Sequence, residues 1–278
     1  MSARATGRAF DPMSVGEIAA AVPDGALLGV PADYSGVPMA FTRALLRRGV
    51  RDLRLFCLPY STIQGDMLIG AGAVASVEAA ALTLGEYGLA PRFCAAVEAG
   101  TIEMRDSTCP ALHAQLQAAE KAVPFMPLRG LIGSDLLAHR PDWRLIDNPM
   151  GNAPDPVVLL PATLLDVVVF HAPRADRDGN IWIGRRRELA TLAHAARAVY
   201  VTVEEIVDRD LFACEADAAC ALPAFYIDGI AEAPRGAWPC AMAELYEADG
   251  DALAAYARAA KTAEGFARWL ADDLAATA

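Results

Sequence analysis

Residues 23–58 read PDGALLGVPADYSGVPMAFTRALLRRGVRDLRLFCL, a strand–helix–strand pattern. The turn Pro23-Asp24-Gly25 precedes Ala26–Val30, a short apolar run of strand type. Met39, Phe41, Leu45 and Leu46 then recur at helical spacing across Pro38–Arg48, and Gly49 supplies a helix stop. Leu53–Leu58 is a second apolar run. Short β-type runs alternating with helices are the mark of an α/β fold, an open and mostly parallel sheet flanked by helices.

The rhythm continues on both sides. Ala73–Leu84 is expected to be a helix closed near Gly85, Phe93–Glu98 a short helix, and Thr101–Met104 a strand. Pro110–Ala122 carries Pro in its first turn and Leu112, Leu116 and Ala119 on one face, which predicts another helix. Val157–Leu160 and Asp166–His171 have the composition of buried strands, and Asp178-Gly179-Asn180 is a hairpin-type turn leading into Ile181–Ile183. Glu188–Arg197 predicts a helix feeding the β-branched run Ala198–Val203, and Asp251–Ala275 a long C-terminal helix. Arg140–Pro156, rich in Pro, Asn and Asp, is the expected excursion between sheet halves. With no short repeat or low-complexity linker, residues 1–278 are expected to form one domain.

Composition narrows the function. A net charge of −11 argues against nucleic acid, whose phosphates need a surplus of Lys and Arg. The chain is 55% hydrophobic, yet no apolar run approaches the roughly 20 residues of a membrane span. Met1–Ala20 lacks the apolar segment of a secretory signal, and the six cysteines include no C-x-x-C pair, so a cytoplasmic protein with free thiols is expected. Two basic clusters, Arg47/Arg48/Arg51/Arg54 and Arg185–Arg187, are either a solvated rim or a dock for phosphates.

Several motifs fail on their spacing. Gly70–Ala75 matches G-x-G-x-x-A, but too little strand precedes it and no strand-end acid follows about 20 residues on, so it reads as tight packing rather than a nicotinamide site. Asp176–Asn180 does not place Gly and Glu where a calcium loop needs them. The four histidines are scattered; His171, ending an apolar strand, reads as a hydrogen-bonded core residue. Glu204-Glu205 reads as acidic residues opening a helix, with a general base or binding carboxylate as the alternative. Three strand-end loops remain as candidate sites: Gly29–Gly36, with Gly29, Asp33 and Tyr34; Pro59–Asp66, with Ser61 and Gln64; and Gly133–Asp135, with Ser134.

Read in order, many segments resemble the A-type chain of class I CoA-transferases, particularly of the glutaconate CoA-transferase type. They include Arg48–Leu53, Asp66–Gly72, Val123–Pro127 with Gly133-Ser134-Asp135, Ile146–Pro149, His171-Ala172 with Asp178–Trp182, Val201–Ile206, and Tyr226–Asp228 with Ala233–Ala237. The resemblance implies an open α/β fold, a CoA thioester as substrate with no permanently bound cofactor or metal, and a B subunit in an A2B2 heterotetramer. It also implies that the nucleophilic glutamate lies on the B subunit, while this chain supplies pocket walls and backbone donors. Two departures stand out. The family's Gly-Gly-Phe is Gly29-Val30-Pro31 here, and Pro31 lacks an N–H. In Glu103–Thr108, which includes Ser107, only Asp106 keeps the acidic character found near substrate in the glutaconate enzyme. The resemblance therefore leaves two rivals: a ring-opening CoA-thioester hydrolase of steroid breakdown, with Asp106 or Glu103 as base, and a non-catalytic CoA-ester-binding protein.

Overall fold

The computed structural model describes residues 10–151 and 154–277. The first nine residues of Met1–Ala20 and two residues of the Arg140–Pro156 excursion thus lie outside the described residues. In chain order the strands are β1 (Leu27–Pro31), β2 (Leu53–Leu58), β3 (Tyr60–Ser61), β4 (Val74–Ala79), β5 (Ala81–Leu82), β6 (Glu103–Asp106), β7 (Phe125–Leu128), β8 (Arg144–Asp147), β9 (Pro156–Pro161), β10 (Leu165–Asp176), β11 (Ile181–Trp182), β12 (Ala196–Val207), β13 (Ala221–Leu222) and β14 (Gly229–Glu232). The helices are α1 (Val15–Ala21), α2 (Met39–Arg48), α3 (Ile63–Gly70), α4 (Pro91–Glu98), α5 (Cys109–Glu120), α6 (Leu136–His139), α7 (Arg187–His194), α8 (Glu215–Ala218), α9 (Gly250–Ala259) and α10 (Ala263–Ala276).

Seven strands run parallel in the order β6-β4-β2-β1-β10-β12-β14. This is the expected open α/β sheet. From β1 the chain winds outward through β2, and it later returns to lay β10 on β1's other side. The order therefore reverses between β1 and β10, the position at which open sheets form a crevice beyond their carboxyl ends. Gly29 stands beside Val168, so β10 continues well past the end of β1, and its free stretch pairs antiparallel with β11. A separate antiparallel sheet, β7-β9-β8, packs through Val158 and Leu160 against Ala111 and Ala114 of α5.

Two apolar cores cover the large sheet. One joins Ile18, Phe41, Leu45, Met67, Tyr256 and Phe266, from α1, α2, α3, α9 and α10. The other joins Leu112 and Leu116 of α5, Leu189 and Leu192 of α7, and Phe56 and Phe170 of the sheet. Among the described residues no helix is long and apolar enough to cross a membrane.

Three sequence expectations are corrected. Ala73–Leu84 forms β4 and β5, not a helix, because Val77 and Ala79 are buried in the sheet between β2 and β6. The glycines of 70–75 thus follow a helix and precede a strand, the reverse of a dinucleotide turn; a Cβ at Gly70 would lie 2.7 Å from Phe266, as tight packing requires. Glu204 and Glu205 do not open a helix; they extend β12, whose parallel ladder with β10 runs through Arg174–Glu205. Val157–Leu160 is a strand as expected, within β9, and it pairs in the small sheet. The C-terminal helix is two helices, since Thr262 accepts the Gly265 N–H and caps a new start.

Candidate functional site

Two cavities open at the reversal point. The larger, about 430 Å³, is lined by Tyr34, Tyr60, Thr62, Leu84, Leu253 and Tyr256, among others. The smaller, about 160 Å³, is lined by Tyr34, Gly36, His171, Trp182, Arg186 and Glu244, among others. Tyr34 forms part of both walls. It sits in the 3-10 turn Asp33–Ser35 that leaves β1, with the Arg186 guanidinium 5.5 Å from its ring centre. The Ser35 hydroxyl donates to Glu188 and ties this turn to α7.

His171 is the floor of the smaller cavity. Its backbone N–H donates to the Gly36 carbonyl (2.8 Å), and its ring nitrogens lie 2.8 Å from Thr202 Oγ1 and 2.8 Å from Glu204 Oε1. Parallel register sets His171 beside Thr202, so the neighbouring strand supplies both partners. The Tyr246 hydroxyl donates to Glu204 Oε1 (2.5 Å) and the Arg235 N–H to Oε2 (2.6 Å). Burial pushes the Glu204 carboxyl up, but hydrogen bonds from His171, Tyr246 and Arg235 outweigh it and hold it below its ordinary value of 4.5. Burial, then the Glu204 bond, raises Tyr246 well above the usual phenol range. The network pins the segment after β14 onto the sheet.

Because the folded value of Glu204 is depressed, its stabilisation is present above the unfolded value and fades as pH falls through the folded one. Glu204→Gln should therefore cost about 2 kcal/mol at neutral pH. The gap from wild type, read from urea midpoints, should close progressively below about pH 4.5. A gap unchanged down to about pH 3 would contradict this assignment.

A second polar cluster stands at the carboxyl ends of β4 and β6. Glu78, 8% exposed, accepts from Arg140 (2.8 Å), Gln115 (2.9 Å) and Arg105 (3.3 Å). Arg140 also donates to the Asp106 carbonyl (2.9 Å) and lies over the Trp143 ring. Asp106 ends edge strand β6 with its side chain exposed.

The residues expected from sequence separate into groups. Tyr34 lies in the crevice; Asp33 opens the same turn, but its side chain is outside the described part. Gly29 is a correction: it sits inside β1, not on a loop. A Cβ there would lie 2.7 Å from Leu165 and 3.0 Å from Val168, both of β10, and 3.2 Å from Leu192 of α7, so its smallness serves packing of these side chains. Ser61 is buried, and its hydroxyl accepts the Gly65 N–H (3.1 Å) at the start of α3. Gln64 and Ser107 each bury a side-chain oxygen without a hydrogen-bond partner, as does Thr62, which sequence reasoning passed over. Orphan buried oxygens are uncommon and suit groups that await a ligand or another chain. Ser134 lines neither cavity; its hydroxyl accepts the Leu136 N–H at the start of α6. Glu204 and Tyr246 were also missed as a site pair, since their only sequence signal is acidity at a strand end.

Other candidates resolve as structure. Asp176, Asp178 and Asp210 cluster within 4.8 Å, but Asp176 already accepts four N–H donors, from Asp178, Asn180 twice and Leu211. Burial pushes the Cys57 thiol up to about 12, so it is no nucleophile near neutrality. Arg47, Arg48 and Arg54 engage the surface groups of the Leu274 carbonyl, Asp24 and Asp166.

The model of the family described as Coenzyme A transferase matches residues 13–233. The chain belongs to the CoA-transferase family. It is 31% identical over 241 residues to the A-type chain of 3-oxoadipate CoA-transferase from Pseudomonas knackmussii, covering 84% of this chain and 82% of that one. The crystal structure of glutaconate CoA-transferase from Acidaminococcus fermentans superposes with a TM-score of 0.86 at 26% identity, covering 94% of this chain and 87% of that one. An Archaeoglobus fulgidus protein is 34% identical over 232 residues, which cover 82% of this chain but only about half (51%) of that one. Among CoA-transferase relatives, this chain is of the A type. Subunits named for ring-cleaving hydrolysis and for decarboxylation also match, so chemistry must be argued from the site, not the fold.

Proposed function

We propose that this chain is the A-type component of a heteromeric CoA-transferase that moves CoA between an acyl-CoA and a carboxylic acid, in an A2B2 assembly. One observation carries the reading: the crevice has walls and the orphan buried oxygen of Thr62 but, among the described residues, no buried carboxylate of its own left unheld. Glu204 is held by His171, Tyr246 and the Arg235 N–H. Glu86 and Glu244, on the cavity rims, are exposed and solvated.

The attacking carboxylate then comes from a glutamate of the B subunit. It adds to the thioester carbonyl and expels the CoA thiolate, leaving an acyl-glutamyl anhydride. The thiolate attacks the glutamyl carbonyl, releasing the first acid and leaving a glutamyl-CoA thioester, which the acceptor carboxylate resolves by the same two steps in reverse. This chain confines the acyl group and excludes water, which would otherwise hydrolyse the anhydride. Tyr34, Gln64, Thr62 and Ser107 are the residues proposed to face ligand or partner.

Co-expression with the B subunit, exposure to acyl-CoA, and mass spectrometry test this. A hydroxylamine-sensitive CoA adduct is expected on the B subunit and none on this chain; rapid transfer by this chain alone would overturn the proposal. The hydrolase reading makes Asp106 a catalytic base shielded from water, whereas at the end of β6 its side chain is exposed. Asp106→Asn is accordingly expected to lower turnover less than about 10-fold, whereas loss of a catalytic base costs roughly 10²–10⁴-fold.

A further inference from the structure

We propose that the larger strand-end cavity receives an uncharged acyl group carrying one neutral oxygen, and that it rejects an acyl group ending in a second carboxylate. The inference rests on the reading above that the ligand is an acyl-CoA, and it names the class of acyl group. Ile63, Leu84 and Leu253 give the cavity aliphatic walls, and Tyr34, Tyr60 and Tyr256 give it aromatic ones. Among the described residues its lining includes no Lys, Arg or His, and its one carboxylate is Glu86. A terminal carboxylate entering this space would lose water, meet no counter-charge and approach an anion.

The polar groups on the wall are equally selective. The Tyr256 hydroxyl is already committed to Asp66 (2.7 Å), so this residue offers its ring. Thr62 lines the cavity, is 6% exposed, and its hydroxyl oxygen has no hydrogen-bond partner. A buried hydroxyl without a partner in the wall of an apolar cavity would be matched by one keto or hydroxyl oxygen on the ligand. The positive charge is on the far side of Tyr34, where Arg185 and Arg186 line the smaller cavity. At about 430 Å³ the larger space lies within the range of roughly 300–1,000 Å³ of small-molecule pockets.

The test is equilibrium dialysis of the A–B complex against three thioesters of equal chain length: hexanoyl-CoA, 5-oxohexanoyl-CoA and adipyl-CoA. The first two are expected to bind at least about 30-fold more tightly than adipyl-CoA, because an unpaired buried charge is costly. Thr62→Val should weaken 5-oxohexanoyl-CoA about 5- to 10-fold and leave hexanoyl-CoA unchanged. Leu253→Arg, on the partly exposed face of α9, should improve adipyl-CoA about 10-fold relative to hexanoyl-CoA. Adipyl-CoA binding as tightly as hexanoyl-CoA to the wild-type complex would overturn the proposal, as would failure of all three to bind. Binding is read without turnover: a complex that shows this order yet forms no CoA adduct refutes the transferase reading alone. A complex that forms the adduct without this order refutes the cavity assignment alone.

Discussion

Gly36→Ala is expected to destabilise the protein by about 3–5 kcal/mol, the sum of a left-handed backbone cost and a steric clash in a packed interior. Gly36 has φ +90°, and a Cβ built there would lie 1.9 Å from the His171 carbonyl oxygen. No rotamer relieves that contact, because the obstacle is backbone of β10, one of the two longest strands of the sheet. Moving away would also break the bond from the His171 N–H to the Gly36 carbonyl. Gly133→Ala is the control: φ is +80° there, but nothing lies within 4 Å. It should cost only the conformational part, about 1–2 kcal/mol. Urea midpoints of the two variants make the comparison, and equal losses would refute the close approach. The Gly36 variant should also lose activity beyond its loss of stability, since the displaced turn carries Tyr34, part of both cavity walls.

Arg140→Met should cost about 3–5 kcal/mol, the usual result of stripping one partner from a buried ion pair. The Arg140 side chain is 2% exposed and its partner Glu78 is 10% exposed. Without the guanidinium, Glu78 keeps only Gln115 and the more distant, half-exposed Arg105. Removing the stranded charge as well, in Glu78→Leu/Arg140→Met, should recover a large part of the loss, since apolar replacement of a buried pair is often neutral. A double-mutant cycle on urea midpoints measures this coupling. A double variant no more stable than Arg140→Met would show that Glu78 is adequately held without Arg140. Because Arg140 also grips the Asp106 carbonyl, the single variant should loosen the end of β6, with faster amide exchange at Ser107.

Much of this architecture is legible in the residues. Leu53–Leu58 is a strand at the limits its apolar run suggests, and Gly49 ends α2 in a left-handed conformation. Asp178-Gly179-Asn180 makes the turn between β10 and β11, with Gly179 at φ +90°. The family resemblance, carried by segments spread along the chain, is upheld. What failed was local preference against tertiary setting. Residues 73–84 are rich in Ala, a strong helix former, yet burial between two strands makes Val74–Ala79 extended. Glu204-Glu205 looks like helix-opening charge because sequence does not reveal that His171, on another strand, waits beside it. Gly29 misled for the opposite reason: a small residue near a strand end suggests ligand approach, but the neighbours that demand smallness are the Leu165 and Val168 side chains of β10. Thr62 lies in the candidate loop Pro59–Asp66 but nothing in the sequence singles it out there, since its significance is a bond it does not make.

His171 is clasped between two glycines, one against its backbone and one against its ring. Gly36 lies against its backbone, and a Cβ at Gly236 would meet the ring at 2.5 Å. The two halves of this clasp are separated by most of the polypeptide. During synthesis, therefore, the crevice stays unfinished after the sheet's first strands have left the ribosome, and it closes only when the segment around Gly236 emerges. A nascent chain halted after β12 would hold a histidine with one flank bare, so a segment made long after the first strands completes this wall of the site.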